Sequence, residues 1–260
     1  MSTDHIVKAY DEELNHLIEI IARMGGLAET QLAGAIRSVV TRDSELAART
    51  VEGDAKVDDL EHEVDTFVVR LLALRQPMAS DLRELIAALK ISSDLERIAD
   101  YATNVAKRTI ALVQSAPVKP AHALPRMAKL TQSMIKDVLD AYVQHDADKA
   151  IEVWERDEEV DEMYMSLFRE LLTYMMEDPR QITPCAHLLF IAKNIERVGD
   201  HATNIAENVH FLVHGEPLLQ SRPKGDDEAF ATFGPEVTKT AKRVAKSMKK
   251  AAKKDSEKAQ

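Results

Sequence analysis

Apolar positions recur at helical spacing through most of this chain. Between about residues 5 and 215, hydrophobic side chains return every three or four positions, which matches the 3.6-residue period of an amphipathic helix. Two such stripes consist of Val57, Leu60, Val64, Phe67 and Leu71, and of Leu95, Ile98, Ala102, Val105 and Leu112. Polar residues occupy the remaining faces, so each helix is expected to bury one side against its neighbours.

Turn and capping residues divide this pattern into six long helices. The predicted helices cover about residues 5–41, 43–75, 80–114, 123–144, 146–178 and 183–214. Asp43 and Ser80 are good N-cap residues, Gln76-Pro77 interrupts the pattern, and Pro184 stands where proline commonly opens a helix. The stretch 115–120, with two prolines, is the clearest linker.

The chain also repeats itself. Residues 94–106 return as residues 194–206, with Glu, Arg, Asp, Ala, Thr, Asn and Ala in identical spacing, and residues 43–58 resemble residues 146–161 at an offset of 103. Such self-similarity indicates a tandem duplication. We therefore predict an all-α protein made of two three-helix bundles, residues 1–115 and 121–215, packed side by side with a pseudo-two-fold relation.

The charge distribution is uneven. The net charge is −10, but residues 221–260 carry eleven Lys and Arg against six Asp and Glu, so this stretch is +5 and the remaining body is −15. An acidic body disfavours nucleic acid and suits cations or a basic protein partner. Residues 216–260 are predicted to form a flexible basic tail, in which a short helix over about 237–254 could instead dock on anionic lipid or an acidic protein patch.

The sequence also indicates the cellular compartment of the protein. It has no run of about 18 uncharged apolar residues, and its N-terminus lacks the features of a signal peptide. The single cysteine, Cys185, allows no internal disulfide, fits a reducing compartment and is predicted to be a small buried side chain. We expect a cytoplasmic protein whose membrane association is at most peripheral, through partners or the tail.

Acidic side chains form strips beside the apolar stripes. Glu96, Asp100 and Asn104 share one helix face at i, i+4 and i+8. The preceding helix carries a second strip, formed by Asp54, Asp58, Glu61 and Asp65. In the other half, Asp157 and Asp161 repeat the first part of this second strip, and Glu196, Asp200 and Asn204 repeat the strip of Glu96, Asp100 and Asn104. Asp58 and Glu96 lie at similar distances from the turn near Pro77, so four carboxylates are expected to converge in each half.

Convergent carboxylates repel one another, and a bound cation is one way to offset that repulsion. All-oxygen ligands suit hard cations such as Mg²⁺, Mn²⁺, Ca²⁺ or iron. Since the strips lie off the apolar stripes, such metals are expected near the outer surface, with Asn104 and Asn204 as extra ligands or second-shell donors. The alternative is a solvated acidic face that Arg97 and Arg197 partly neutralise.

The repeated segments resemble the PhoU family, the accessory regulators of bacterial phosphate uptake. The resemblance covers about residues 5–215 and rests on residues 75–83, 94–100 and 192–200. It implies two three-helix bundles that hold divalent or trivalent metal ions (iron, manganese, zinc or magnesium) on E/DxxxD motifs. Carried over residue by residue, the motifs fall on Asp54, Asp58, Glu96, Asp100, Asp157, Asp161, Glu196 and Asp200.

The same resemblance implies a function. Family members look like non-enzymatic negative regulators of phosphate uptake and of the phosphate-starvation response. They are thought to couple the ATPase subunit of the phosphate-import ABC transporter to a membrane sensor histidine kinase, and a homodimer is a family expectation. The basic tail after Gly215 departs from the usual pattern.

Two other readings remain open at the level of sequence. A metal-independent helical adaptor would use the acidic faces to dock basic partners. A carboxylate-bridged di-iron enzyme needs two Glu-x-x-His pairs, and the pairs present, Glu13 with His16 and Glu207 with His210, are not related by the repeat. The chain has no GxxxxGK phosphate loop and no G-x-S-x-G nucleophile elbow, so an enzyme is not the expectation.

Overall fold

The structure, a computed structural model, describes residues 3–218, and side chains from residue 10 onward except those of residues 119 and 120. The predictions for residues 219–260, including the short helix, lie outside the described residues. Within residues 3–218 all regular structure is helical, which confirms the all-α prediction. The helices are α1 (Thr3–Thr41), α2 (Ser44–Glu52), α3 (Ala55–Arg75), α4 (Ser80–Leu112), α5 (Leu124–Gln144), α6 (Ala147–Glu155), α7 (Asp157–Glu177) and α8 (Ile182–His214), with short 3₁₀ helices at Lys119–Ala123 and Pro179–Gln181.

Two of the six predicted helices are broken. The helix predicted over residues 43–75 is divided into α2 and α3 at Gly53 and Asp54, and the one predicted over residues 146–178 is divided into α6 and α7 at Arg156. The apolar spacing continues through both breaks, so periodicity alone does not reveal them. The breaks place Asp54 and Asp157 at the start of α3 and α7.

The turns that end α1 and α5 have the same construction. Arg42 and His145 adopt left-handed backbone angles, with φ of 55° and 53°, and each is followed by an aspartate that caps the next helix. Asp43 accepts a hydrogen bond from the Leu46 amide and Asp146 from the Lys149 amide. This shared turn is the structural counterpart of the sequence repeat.

The two long helices α4 and α8 form the centre of the molecule. They run antiparallel, since Asp94 contacts His201, Tyr101 lies under Arg197 and Arg108 lies over Phe190. This helix pair has the most extensive packing among the described elements. Helices α1, α2 and α3 pack on α4, and α5, α6 and α7 pack on α8, which agrees with two tandem helical bundles. The described residues, 3–218, belong to one compact unit.

Apolar side chains fill the space between these helices, as the periodicity predicts. All ten stripe residues named above are buried except Phe67, which is half-buried. Cys185 is fully buried, as predicted. None of the described helices combines the length and apolar character that crossing a membrane requires.

Candidate functional site

The first acidic cluster lies where α3 runs alongside α4. Burial raises the pKa of Asp58, and the charges of Asp54 and Asp100 raise it further. Burial likewise raises the pKa of Glu96, and the negative charge of Asp100 raises it further. Arg97 lowers this pKa, whereas Glu61 and Asp58 add smaller increases. The carboxylates of α3 and α4 are therefore within electrostatic reach of one another, as the register of the two helices implies. The pKa of Glu61 is raised in the same way, by burial and then by Asp65 and Asp58.

The second acidic cluster lies where α7 runs alongside α8. Burial raises the pKa of Glu196, and the charges of Asp200 and Asp161 add to the increase. Asp157 lies against Gly199, where a Cβ atom would come within 3.4 Å of its Oδ1 atom. That distance is an ordinary van der Waals contact, so the Asp157 carboxylate packs directly on the surface of α8 at Gly199.

The expectation of surface-exposed strips is wrong for part of this second cluster. Asp157 is 2% exposed and Glu196 is 8% exposed, whereas Asp58 is exposed and Glu96 is only half-buried. The physical reason is direct packing on α8, since Asp157 in the first turn of α7 lies against Gly199, and Lys193 Nζ lies 2.6 Å from Glu196 Oε1. Glu196 Oε2 is buried and makes no hydrogen bond.

A buried glutamine connects the first cluster to the core. Gln31 of α1 donates from Nε2 to Asp54 Oδ1 at 2.9 Å and to Thr103 Oγ1 at 2.7 Å. Gln31 and Thr103 are both buried. The amide therefore fixes Asp54 relative to α4 by a hydrogen bond to a charged acceptor, which is stronger than a neutral one.

The basic residues near the clusters differ between the halves. Arg97 lies 3.5 Å from both Glu96 and Asp100, whereas its counterpart Arg197 lies over the ring of Tyr101 at 5.6 Å. In the second half Lys193 supplies the close contact, with its Nζ atom 2.6 Å from Glu196 Oε1. Sequence reasoning missed Lys193 because the repeat has Ser93 at the matching position.

The two asparagines predicted as accessory ligands also differ. Asn204 donates to Asp94 Oδ1 at 3.3 Å, an oxygen that His201 Nδ1 also contacts at 2.8 Å. Asn104 lines a separate pocket between α4 and α8 together with Arg197. Their assignment as extra ligands or second-shell donors stays a prediction.

The acidic clusters have the donor chemistry of a metal site but not its spacing. Carboxylate oxygens that repel one another, including the unbonded Glu196 Oε2, are suitable donors for a hard cation. In the conformations described for residues 3–218, however, no three His, Cys, Asp or Glu side chains are gathered closely enough to hold an ion. The donor types therefore fit, and coordination requires the side chains to turn toward a common point.

Sequence comparison identifies the same two repeats. The family model described as the PhoU domain matches residues 21–109 and again residues 124–209. A relative from Caulobacter vibrioides, named phosphate-specific transport system accessory protein PhoU homolog, is 55% identical over 225 residues, which are 86% of this chain and 98% of the relative. A relative of the same name from Rhizobium meliloti is 50% identical over 227 residues, covering 87% of this chain and 96% of the relative.

Solved structures show the same architecture. The crystal structure of PhoU from Pseudomonas aeruginosa superposes with a TM-score of 0.77 at 40% identity, covering 80% of this chain and all of that chain. The PhoU structure from Streptococcus pneumoniae gives a TM-score of 0.76 at 31% identity, with 81% of this chain and all of that chain covered.

Proposed function

The chain belongs to the PhoU family, and from this we propose that it is a regulator of phosphate transport and of the phosphate-starvation response. The observation that carries the proposal is the identity of 55% across nearly the whole of a relative named as an accessory protein of the phosphate-specific transport system. The regulator limits phosphate uptake and keeps the starvation response off when phosphate is plentiful. It acts by binding other proteins, in the cytoplasm, and catalyses no reaction.

The proposed partners are the ATPase subunit of the phosphate-import transporter and the sensor histidine kinase of the starvation response. Two helical hairpins offer apolar side chains for such contacts. Met78 is 79% exposed at the turn between α3 and α4, and Met176 is 78% exposed near the turn between α7 and α8. Both methionines lie at corresponding hairpins of the two halves, and we propose that the partners contact these hairpins. We also propose a homodimer, following the family expectation.

The acidic clusters are proposed to bind metal ions. Asp54, Asp58, Glu96 and Asp100 would hold metal in the first half, and Asp157, Asp161, Glu196 and Asp200 in the second. Burial, and then repulsion by neighbouring carboxylates, raises the pKa values of Asp58, Glu96 and Glu196, and a bound cation would favour their charged forms. Because it would bind the folded chain and not the unfolded one, it would also stabilise the fold.

A metal-independent adaptor is the second candidate. It is favoured by the finding that no three acidic, histidine or cysteine side chains of the described residues are close enough to share an ion. In this case the same clusters would form salt bridges with Arg and Lys side chains of a partner. The two candidates differ in whether removing metal changes the protein.

The regulatory role is tested by gene deletion in the native host. We expect that cells lacking the protein express phosphate-starvation genes in phosphate-rich medium, and that the wild-type gene restores repression. Expression in a Caulobacter vibrioides strain that lacks its own relative provides a second host. Starvation genes that stay repressed after deletion in the native host, or that this chain fails to repress in the Caulobacter strain, would contradict the proposed role.

A further inference from the structure

A cationic pocket lies at one end of the α4–α8 interface, outside the acidic clusters. Its volume is about 570 Å³, within the usual range for small-molecule sites. Helix α4 contributes Asn104, Lys107 and Arg108 to its lining, and helix α8 contributes Lys193, Asn194 and Arg197. Lys107 and Arg108 follow Asn104 by three and four positions, and Lys193 and Asn194 precede Arg197 by four and three, so each set shares one helix face and the two sets line the same space.

The charge of this pocket is opposite to that of the surrounding body. Its lining contains four Lys and Arg side chains and no Asp or Glu, whereas residues 1–220 carry a net charge of −15. Four cations lining one concavity repel one another, and a bound anion removes that repulsion. The pocket therefore favours a ligand with several negative charges.

The internal repeat shows that the fold does not require these charges. At an offset of 100, the counterparts of Lys107 and Asn194 are Glu207 and Asp94. The nine matching positions at the other end of the α4–α8 interface carry Lys90, Arg97, Asp94 and Glu207, so their net charge is zero. The same helix pair thus packs at its other end without a net positive lining, so packing of α4 on α8 does not by itself account for the charges in the pocket.

The side chains in the pocket are suited to phosphate oxygens. The guanidinium group of Arg108 lies over the ring of Phe190, 3.9 Å from its centroid, which fixes its position beside the opening. Arginine offers several N–H donors in a fork that matches phosphate, and lysine adds a compact positive charge. A single phosphate group carries about −1.5 to −2 charges at pH 7, so four cations match two or more phosphate groups.

We propose that this pocket binds an oligophosphate anion, either an inorganic oligophosphate or the phosphate chain of a nucleotide. Lys193 also donates to Glu196 at 2.6 Å, so an anion in the pocket competes with the second acidic cluster for this side chain. The proposal concerns a site apart from the carboxylates and does not depend on the regulatory role.

Isothermal titration calorimetry on the full chain tests the proposal. The probes are orthophosphate, diphosphate, triphosphate, ATP, AMP and citrate at equal ionic strength, with EDTA present so that no metal on the acidic clusters can bind phosphate. We expect triphosphate and diphosphate to bind more tightly than orthophosphate and citrate, and binding to weaken as salt is added. ATP binding as tightly as triphosphate, with AMP weak, would identify the phosphate chain as the recognised group in both sources.

Matched variants locate the site. Lys107→Gln with Arg108→Gln should weaken triphosphate binding at least about tenfold, since two charge-assisted contacts are lost. Asn194→Asp, which introduces the counterpart's carboxylate, should weaken it in the same way. Arg49→Gln with Lys56→Gln removes one arginine and one lysine from a different pocket and should leave the affinity within about twofold. Circular dichroism checks that each variant is folded.

Three results would overturn the proposal. One is the absence of oligophosphate binding to the wild type at millimolar concentration. Another is equal weakening in the pocket and control variants, which would indicate nonspecific attraction. The third is citrate or an acidic peptide binding as tightly as triphosphate, which would assign the pocket to carboxylate partners.

Discussion

Gln31 is the residue that holds the first acidic cluster in place from inside the bundle. Its amide bridges Asp54 at the start of α3 and Thr103 in the middle of α4. Buried polar groups lose free energy when a partner is removed, because their desolvation is no longer offset. The position of Asp54 therefore depends on a side chain from a third helix.

Replacing this amide should destabilise the protein. We expect Gln31→Leu, which keeps the approximate volume, to lower the free energy of unfolding by about 1–3 kcal/mol, because Asp54 and Thr103 lose a donor. Gln144→Leu, at an exposed position of α5, is the control and should change it by less than about 0.5 kcal/mol. Urea titration followed by circular dichroism measures both, and equal stabilities for the two variants would contradict the assigned role of Gln31.

The repulsion within the first cluster should appear in the pH dependence of stability. The folded state raises the pKa of Asp58 above its ordinary value of 3.8, through burial and then Asp54 and Asp100. Between that ordinary value and the raised pKa the folded chain binds more protons than the unfolded chain, so stability falls as pH increases through this window.

Asp58→Asn removes this effect. In EDTA at pH 7 the variant should be more stable than the wild type by about 0.2–0.5 kcal/mol, the size of a like-charge pair one helical turn apart. The difference should shrink as pH is lowered toward 4, where the wild-type carboxyl gains its proton. Glu63→Gln, an exposed position of the same helix, is the charge-matched control. A variant less stable than the wild type at pH 7 would show that the Asp58 charge is favourable instead.

The sequence predicts the acidic residues of the two clusters but not the side chains that contact them. Glu96, Asp100, Glu196 and Asp200 were identifiable because duplication repeated them at fixed spacing. Gln31 lies on another helix, outside the repeated motifs, so the sequence pattern did not connect it to Asp54. The cationic pocket combines residues about eighty positions apart, and the matching positions of the repeat have no net charge, so neither periodicity nor the repeat pointed to it.

At the scale of the elements, the breaks between α2 and α3 and between α6 and α7 are the main departure from the sequence-based picture. Gly53 ends α2, and its amide hydrogen-bonds to carbonyl groups of the preceding turn. At the second break the Arg156 Nη2 atom lies 2.6 Å from the Asp137 Oδ2 atom of α5. Long-range contacts of this kind fix where a helix ends, and a one-dimensional pattern of apolar residues does not contain them.

Helices α1 and α5 approach each other closely at Gly25. A Cβ atom at Gly25 would lie 2.3 Å from Leu139 Cδ1, whereas one at the adjacent Gly26 would meet no atom within 4 Å. The absence of a side chain at Gly25 therefore allows α1 to pack against Leu139, while Gly26 has no such requirement.

This pair of glycines provides a matched test of that packing. Gly26→Ala should stabilise the protein by about 0.5–1 kcal/mol, because alanine favours the helix. Gly25→Ala should instead destabilise it by about 1–3 kcal/mol, since Leu139 must move. Thermal unfolding of both variants gives the comparison. A stabilising effect of Gly25→Ala equal to that of Gly26→Ala would show that Leu139 adapts freely and that the contact is loose.

At the scale of the whole molecule, the antiparallel pair α4 and α8 brings the duplicated motifs together in one structure. Asp94 of α4 contacts His201 of α8, and Arg83 reaches the carbonyl of Leu212, so polar contacts join the halves along this pair. The acidic clusters occupy the flanks of this pair, next to α3 and α7. A change in charge at a cluster can therefore act on the helices that join the two halves.

The duplication retained the acidic motifs in both halves while neighbouring positions changed. Lys193 replaces Ser93 and Gly199 replaces Ala99, and the second cluster is correspondingly more buried and has a lysine contact. The two proposed metal sites therefore have different surroundings, and the proposal predicts that the more exposed first cluster exchanges metal more readily.

Metal content of the purified, untagged protein tests most directly whether the two acidic clusters are metal-binding functional sites. Inductively coupled plasma mass spectrometry should find stoichiometric metal in the wild type after incubation with Fe, Mn, Zn and Mg, and much less in the Asp100→Asn/Asp200→Asn double variant. Glu63→Gln/Glu162→Gln, which removes two exposed charges outside the motifs, should retain the wild-type content. A wild type that takes up no metal, or loses none in the double variant, would contradict the claim and assign the clusters to docking of basic partners.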